Sequence, residues 1–303
     1  FKEINADQNY NQGKEFNGVL GIEEYKEDSS TQLNCVYNGE LTQGTEYVNG
    51  QYTYYYNQEQ YVDLDEGGIK WRKLDNDGWS VQLTNKESTE AVTSSICSNI
   101  NNKPILSMSF MYDSSQAHNI NLDNIYTSNV TNMFAMFSDS QATSLNLSNF
   151  DTSKVIDMSY MFSGSQATTL DLSNFDTSKV TDMNNMFSGS QATTLDLSNF
   201  DTSKVIDMNN MFSSSQAITL DLSNFDTSNV TNMDYMFSNS TDLKTIYASE
   251  TFNDNNIQEL FDMFSGCTSL VGGAGTTYDE DYIDFTYAHI DGGEGNPGYF
   301  TAK

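Results

Sequence analysis

The sequence predicts an α/β repeat fold: a solenoid of 25-residue coils, each with a short parallel strand and a short helical turn, preceded by a small β-rich domain. Three observations predict it. The stretch LDLSNFDTSKVTDMNNMFSGSQATT, Leu170 to Thr194, is copied almost letter for letter immediately before and after itself. Within each copy the apolar period changes from every second residue to every third. The first hundred residues instead carry strand-like runs broken by turn dipeptides. A unit this short cannot close a core of its own, so each copy must bury its apolar face against the next.

The N-terminal domain spans residues 1–104. Asn38-Gly39, Asn49-Gly50, Gly67-Gly68 and Asp77-Gly78 are hairpin signals and predict an antiparallel β unit. Tyr52, Tyr54, Tyr55, Tyr56, Tyr61, Trp71 and Trp79 read as hairpin faces or as a sugar-stacking platform. Val92, Ile96 and Ile100 recur every four residues behind a possible N-cap at Ser88. That spacing predicts a closing helix over about 88–102, capping the open end of the array.

The array runs from 105 to 264. Met111, Met136, Met161, Met186, Met211 and Met236 form one column, followed by Tyr112, Phe137, Phe162, Phe187, Phe212 and Phe237. Met263 and Phe264 come after a step of 27, so two extra residues are expected between Asn239 and Ile257. Ile105, Met108 and Met111 repeat the spacing of Val130, Met133 and Met136, which begins a partial coil just after Pro104. Leu170 and Leu172 alternate with Asp171, the period of a strand with one buried face. Val180, Met183, Met186 and Phe187 would share one side of a helical turn, with Asp176 as its cap and Gly164 or Gly189 at its stop. Stacked strands about 4.8 Å apart would make a parallel sheet along a rod on the order of 30 Å long. The Gly- and Tyr-rich residues 265–303 are expected to cap the last coil.

Thirteen basic residues against 42 acidic give a net charge of -29, which argues against nucleic acid or an anionic membrane surface as partner. No run of 18 apolar residues exists, so this fragment does not insert in a membrane. The chain begins at Phe1, which implies a removed N-terminus, with any signal or anchor outside the fragment. Of three cysteines, Cys35 and Cys97 can pair as a structural disulfide or remain two free thiols, and Cys267 stands alone.

His118 and His289 lie at opposite ends of the array, with no nucleophile motif beside either, so no catalytic residues are expected and the chain does not read as an enzyme. No cofactor or metal is required. Asp171, Asp196 and Asp221, continued by Asn121 and Asn146, should point outward as a ladder and are the candidate binding residues. That ladder reads as a solvated face, a docking stripe for a protein or glycan, or a collector of calcium. Unit charges about 5 Å apart repel by roughly 0.8 kcal/mol in water, which needs no bound cation. Asp63 to Glu66 and Asp75 to Gly78 lack the full calcium loop and read as turns. Lys154, Lys179 and Lys204 are expected to pair with Asp157, Asp182 and Asp207 three residues on, and Asn149, Asn174, Asn199 and Asn224 to form an amide ladder.

At MFSGSQATTLDLSNFDTSKVTDM the chain resembles the BspA-like leucine-rich-repeat surface proteins, in the subclass whose unit reads roughly MFxGCxxLxxLDLSxFDTSxVTxM. The resemblance covers about Ile105 to Phe264, and AHIDGGEGNPGYF at Ala288 to Phe300 is similar to a segment that often follows the array. It implies a right-handed leucine-rich-repeat-like solenoid in an exported, cell-surface-associated bacterial protein of adhesin-like role, with no catalytic residues. The family's cysteine is serine here at Ser140, Ser165, Ser190, Ser215 and Ser240, and its leucine near Thr168 gives way to Gln166-Ala167. The expected function is an extracellular interaction module binding a host or matrix protein or a glycan. The alternatives are a structural spacer or pilus-associated subunit, and a hydrolase in the N-terminal domain.

Overall fold

The computed structural model describes residues 33–253, 256–257 and 261–303. Its strands are β1 (Asn34–Cys35), β2 (Glu46–Asn49), β3 (Tyr52–Tyr56), β4 (Gln58–Val62), β5 (Ile69–Lys73), β6 (Trp79–Leu83), β7 (Asn99–Ile100), β8 (Lys103–Ser107), β9 (Thr219–Asp221), β10 (Thr245–Ala248) and β11 (Phe300–Ala302). Two 3-10 helices of three residues, Phe285–Tyr287 and Gly293–Gly295, are the only helices among the described residues.

The hairpin signals are used unequally. Gly50, at φ 60°, turns β2 back onto β3 with Asn49 opposite Tyr52. Gly67 and Gly68 close the loop between β4 and β5, which pair from Gln58–Lys73 to Val62–Ile69. Asp77-Gly78 leads into β6, which pairs antiparallel with β3 and parallel with β8. Asn38-Gly39 joins no hairpin, because β1 pairs in parallel with β7. The six-stranded order is β1-β7-β8-β6-β3-β2. The boundary expected at 104 therefore falls inside β8, which carries the sheet onward: Ser107 bridges Asn132 in parallel.

From there the copies lie side by side in register. One line of parallel bridges runs Asn132, Asp157, Asp182, Asp207, Asn232, and another runs Leu145, Leu170, Leu195. The second line widens into the sheet β9-β10-β11, where Leu220 faces Ile246 and Ile246 faces Phe300. One of the two extra residues lies before β10, where the register has grown to Thr219–Thr245. The rest of that expected bulge includes 254–255, outside the described residues.

The α/β class is corrected to a nearly all-β one, and the leucine-rich-repeat-like solenoid with a helical turn per coil is not what forms. The stretch expected to be helical, Met183 to Ser190, is a run of overlapping turns. Met186 donates to Met183, Ser188 to Asn185 and Ser190 to Phe187, each a bond across three residues. Asn185 and Gly189, at φ 55° and 66°, occupy the third position of the first and last turns, a place that favours Asn or Gly. A left-handed residue every four positions cannot continue an α-helix. The amides of Met183, Asn185, Phe187 and Gly189 instead donate to Asp207, Asn209, Met211 and Ser213 of the next copy, at 2.7–3.0 Å. The three-residue apolar spacing was real but served a chain of turns.

The closing helix over 88–102 is likewise corrected. Val92, Ile96 and Ile100 are buried, but on extended chain. Val92 bridges Ile120, the amides of Thr93 and Ser94 donate to the Gln51 side chain, and Cys97 N-H donates to the Tyr54 hydroxyl. With those donors spent on distant partners, no helical ladder remains for them. Cys35 and Cys97 are joined by a disulfide, Cα to Cα 5.7 Å.

The core is a set of columns. Rings from Tyr112 through Phe137, Phe162, Phe187, Phe212, Phe237 to Phe264 stack at centroid distances of 5.3–5.9 Å. At one end the Tyr112 hydroxyl meets that of Tyr52 at 2.8 Å, and at the other Phe264 meets Tyr299 edge-on at 5.0 Å. Thr152, Thr177 and Thr202 form a buried polar column: each hydroxyl donates to the carbonyl, and accepts from the N-H, of an aspartate in the next copy. Asn174 and Asn224 donate to main-chain carbonyls of the preceding copy, as an amide ladder should.

Two substitutions test this packing by denaturant unfolding. Phe187→Ala, which opens a gap between Phe162 and Phe212, should cost about 3–5 kcal/mol, and a cost under about 1 kcal/mol would contradict the column. Thr177→Val strands a buried N-H and carbonyl and should cost about 1–3 kcal/mol, with Thr177→Ser recovering most of it.

Candidate functional site

In each copy the residue before the first methionine of the turn run is Asn132, Asp157, Asp182, Asp207 or Asn232. Its backbone sits in the first bridge line. Its side-chain oxygen accepts the N-H two residues on, at 2.8–3.1 Å, in Phe134, Ser159, Asn184, Asn209 and Asp234 respectively. Asn and Asp are suited to this because a short side-chain acceptor imitates a backbone turn. The second carboxylate oxygen of Asp207 accepts from Asn232 Nδ2 at 3.4 Å.

Asp157, Asp182, Asp207 and Asn232 line a groove of about 510 Å³. One wall is aromatic: Phe110 meets Phe134 at 5.1 Å, and Phe134 meets Tyr160 at 5.4 Å. The other wall carries Val62 and Leu64 from the β4–β5 hairpin, Leu64 being 92% exposed. The hairpin is fixed at its base by buried Glu59, which accepts from Arg72 at 2.8 Å and from Asn132 Nδ2 at 2.8 Å. Ser109 Oγ adds a bond to the Gln60 carbonyl at 3.1 Å.

Burial raises the Asp157 carboxyl to about 6, with the charge of Asp182 raising it further and its bonds from Ser159 opposing. Asp207 is raised for the same first reason. Asp113, at the groove's end, is raised by burial and held down by Lys86, 3.9 Å away. Tyr160 carries a second cost: it is left-handed, φ 58°, like its equivalents Phe110, Ala135, Asn185, Asn210 and Tyr235. A bulky residue there costs roughly 1–2 kcal/mol relative to a relaxed backbone.

The residues expected from sequence behave differently. Asn121, Asn146, Asp171 and Asp196 are exposed, and Asp221 is half-buried. Each accepts the N-H two residues on, in Asp123, Ser148, Ser173, Ser198 and Ser223. Serine hydroxyl and N-H bonds hold Asp171 and Asp196 below the usual carboxylate range. Asp221 is ion-paired with Lys303. The expected lysine pairs are corrected: Lys154 Nζ donates to Asn129 at 2.9 Å and Lys204 Nζ to the Ser178 carbonyl at 2.8 Å, while Asp157 and Asp207 turn into the groove. A turn rather than a helix separates them, so the three-residue spacing does not place them on one face.

The tyrosine platform does not assemble either. Tyr52, Tyr54 and Trp79 are fully buried, Tyr55, Tyr56 and Tyr61 are half-buried, and Trp71, 4.5 Å from Tyr55, is exposed. No group of three or more His, Cys, Asp or Glu arranged to hold a metal exists among the described residues. No helix among them is long and apolar enough to cross a membrane. The groove was missed because Asp157 and its equivalents looked like surface partners of lysine. The one available signal was the aromatic change at Phe134 and Tyr160, although Tyr235 repeats the second of them in a later copy.

The model of a family described as "Mycoplasma protein of unknown function, DUF285" matches residues 82–198 and 164–273, together more than half the chain. No curated protein and no solved structure matches it.

Asp157 holds its proton more tightly folded, about 6, than its ordinary 3.8. Its contribution to stability is therefore lost as pH rises from about 4 to 6. Asp157→Asn should match the wild type near pH 3.5 and exceed it by on the order of 2 kcal/mol at pH 7, read by urea unfolding across pH. A variant less stable than wild type at pH 7 would contradict the assignment.

Proposed function

The chain belongs to the family described as Mycoplasma protein of unknown function, and from that premise we propose that it is an extracellular bacterial interaction module that holds a partner protein or glycan in the groove above Asp157, Asp182 and Asp207. The BspA-like surface proteins, which its repeat resembles, support an exported, adhesin-like role. The observation that carries the reading is Tyr160. An aromatic side chain sits in a left-handed backbone position at the groove, where the preceding copy has Ala135 and the next two have asparagine; Tyr235 takes the same conformation outside the groove lining. Strain of this kind collects at binding sites, where the contact made justifies its cost. The rigid walls around it suit recognition, because a partner has few groups to order on docking.

The test is a solid-phase screen of the intact chain against matrix proteins, mucins and glycans, repeated with Tyr160→Asn. The variant should be more stable by about 1 kcal/mol, since it adopts the neighbouring copies' residue. Its saturable binding should fall roughly tenfold. Absence of saturable binding by the wild-type chain, or equal binding by the variant, would falsify the reading.

A further inference from the structure

We propose that the groove takes an extended, lysine- or arginine-bearing segment of a partner protein, its cations facing Asp157, Asp182 and Asp207 and its stems lying against Phe134 and Tyr160. This deepens the interaction reading above and rests on it.

The first reason is charge left uncompensated. Asp157, Asp182 and Asp207 lie on three consecutive rungs, half-buried, and none is ion-paired among the described residues. Lys154 donates to Asn129 and Lys204 to Ser178, Lys179 makes no ion pair with Asp182 among the described residues, and Arg72, whose charge is felt at Asp157, is ion-paired with Glu59. Rungs about 4.8 Å apart place like charges where each raises the energy of its neighbour, and partial burial deepens that repulsion. An arriving cation relieves it, whereas a neutral hydroxyl leaves it in place. With a net charge of -29 on the chain, the surrounding field favours the approach of cations.

The second reason is the wall. Phe134 and Tyr160 form a continuous aromatic surface beside the carboxylates. An aromatic face attracts an ammonium or guanidinium, and the methylene stem below the charge covers apolar surface. Val62 and Leu64 close the far side. The lining rungs Asp157, Asp182, Asp207 and Asn232 span roughly 14 Å, which matches about four residues of extended chain.

The experiment is fluorescence anisotropy with labelled N-acetyl-hexalysine and the full chain, set against a neutral Gly-Ser hexapeptide and an unlabelled neutral glucan hexasaccharide as competitor. The triple variant D157N/D182N/D207N should fold, because Asn132 and Asn232 already perform the same turn-capping in adjacent copies. A second triple, D151N/D176N/D201N, makes the same change of charge at exposed positions outside the groove lining. Saturable hexalysine binding should weaken at least roughly tenfold in the groove triple and less than about twofold in the other, and should fall with added salt. Should the groove triple fail to fold, Asp182→Asn alone should weaken binding about threefold. Equal weakening by the two triples, or no hexalysine binding, overturns the proposal. Displacement by the hexasaccharide with no hexalysine affinity overturns the peptide assignment and leaves the interaction reading standing, whereas failure here and in the screen together removes both.

Discussion

Main-chain hydrogen bonding between adjacent copies is the constraint on which everything else depends. Two left-handed residues per copy, at Asn185 and Gly189 and their equivalents, turn alternate amides out of the local turn and toward the next copy. Each such bond is worth only about 1 kcal/mol net, but four of them recur in each copy between Met108 and Ser214. Asp139 and Gly164 fill the same left-handed position at φ 51° and 63°, so the repeat tolerates any residue that accepts that conformation. Once the copies are held at this offset, the methionine, phenylalanine and threonine columns follow, because equivalent side chains have no other neighbours to pack against.

The same register that builds the core builds the groove. A residue repeated every 25 positions becomes a line of side chains, so Asp157, Asp182 and Asp207 are brought together without any loop designed for the purpose. The N-terminal strands then supply asymmetry. The β4–β5 hairpin is anchored through Glu59 to Asn132, the first rung, and adds Val62 and Leu64 to the groove lining. Aromatic residues at Phe110, Phe134 and Tyr160 occur on the early copies, while Asn184, Asn185 and Asn209 occupy the corresponding stretch further along. A uniform array is thereby given one distinct end.

The copy boundaries, the buried columns and the hairpins at Gly50 and Gly67-Gly68 were legible in the sequence, because periodic burial and turn dipeptides leave direct traces. The helical turn was not. Val180, Met183 and Met186 are three apart, and that spacing fits a helix and a chain of overlapping turns equally well until the φ of Asn185 is known. Asn184-Asn185 was a hint of a turn that the methionine pattern masked. The segment 88–102 misled for a related reason: its four-residue period is satisfied by burial against Tyr54 and Ile120, contacts that no local pattern announces. The outward ladder from Asn121 to Asp221 lies at the surface, each rung accepting an N-H of its own turn through one oxygen. The groove depends on a hairpin some seventy residues upstream of its first rung, a long-range placement absent from any window of sequence.

Amide hydrogen exchange resolved by residue tests this account most directly. The amides of Met183, Asn185, Phe187 and Gly189 should exchange together, only through opening of the stack, and as slowly as those of Met158, Tyr160, Phe162 and Gly164 in the preceding copy. Fast exchange at these four with protection concentrated on bonds local to the segment would mean that each copy is held by its own turns, and the inter-copy hydrogen bonding on which the columns and the groove depend would not exist.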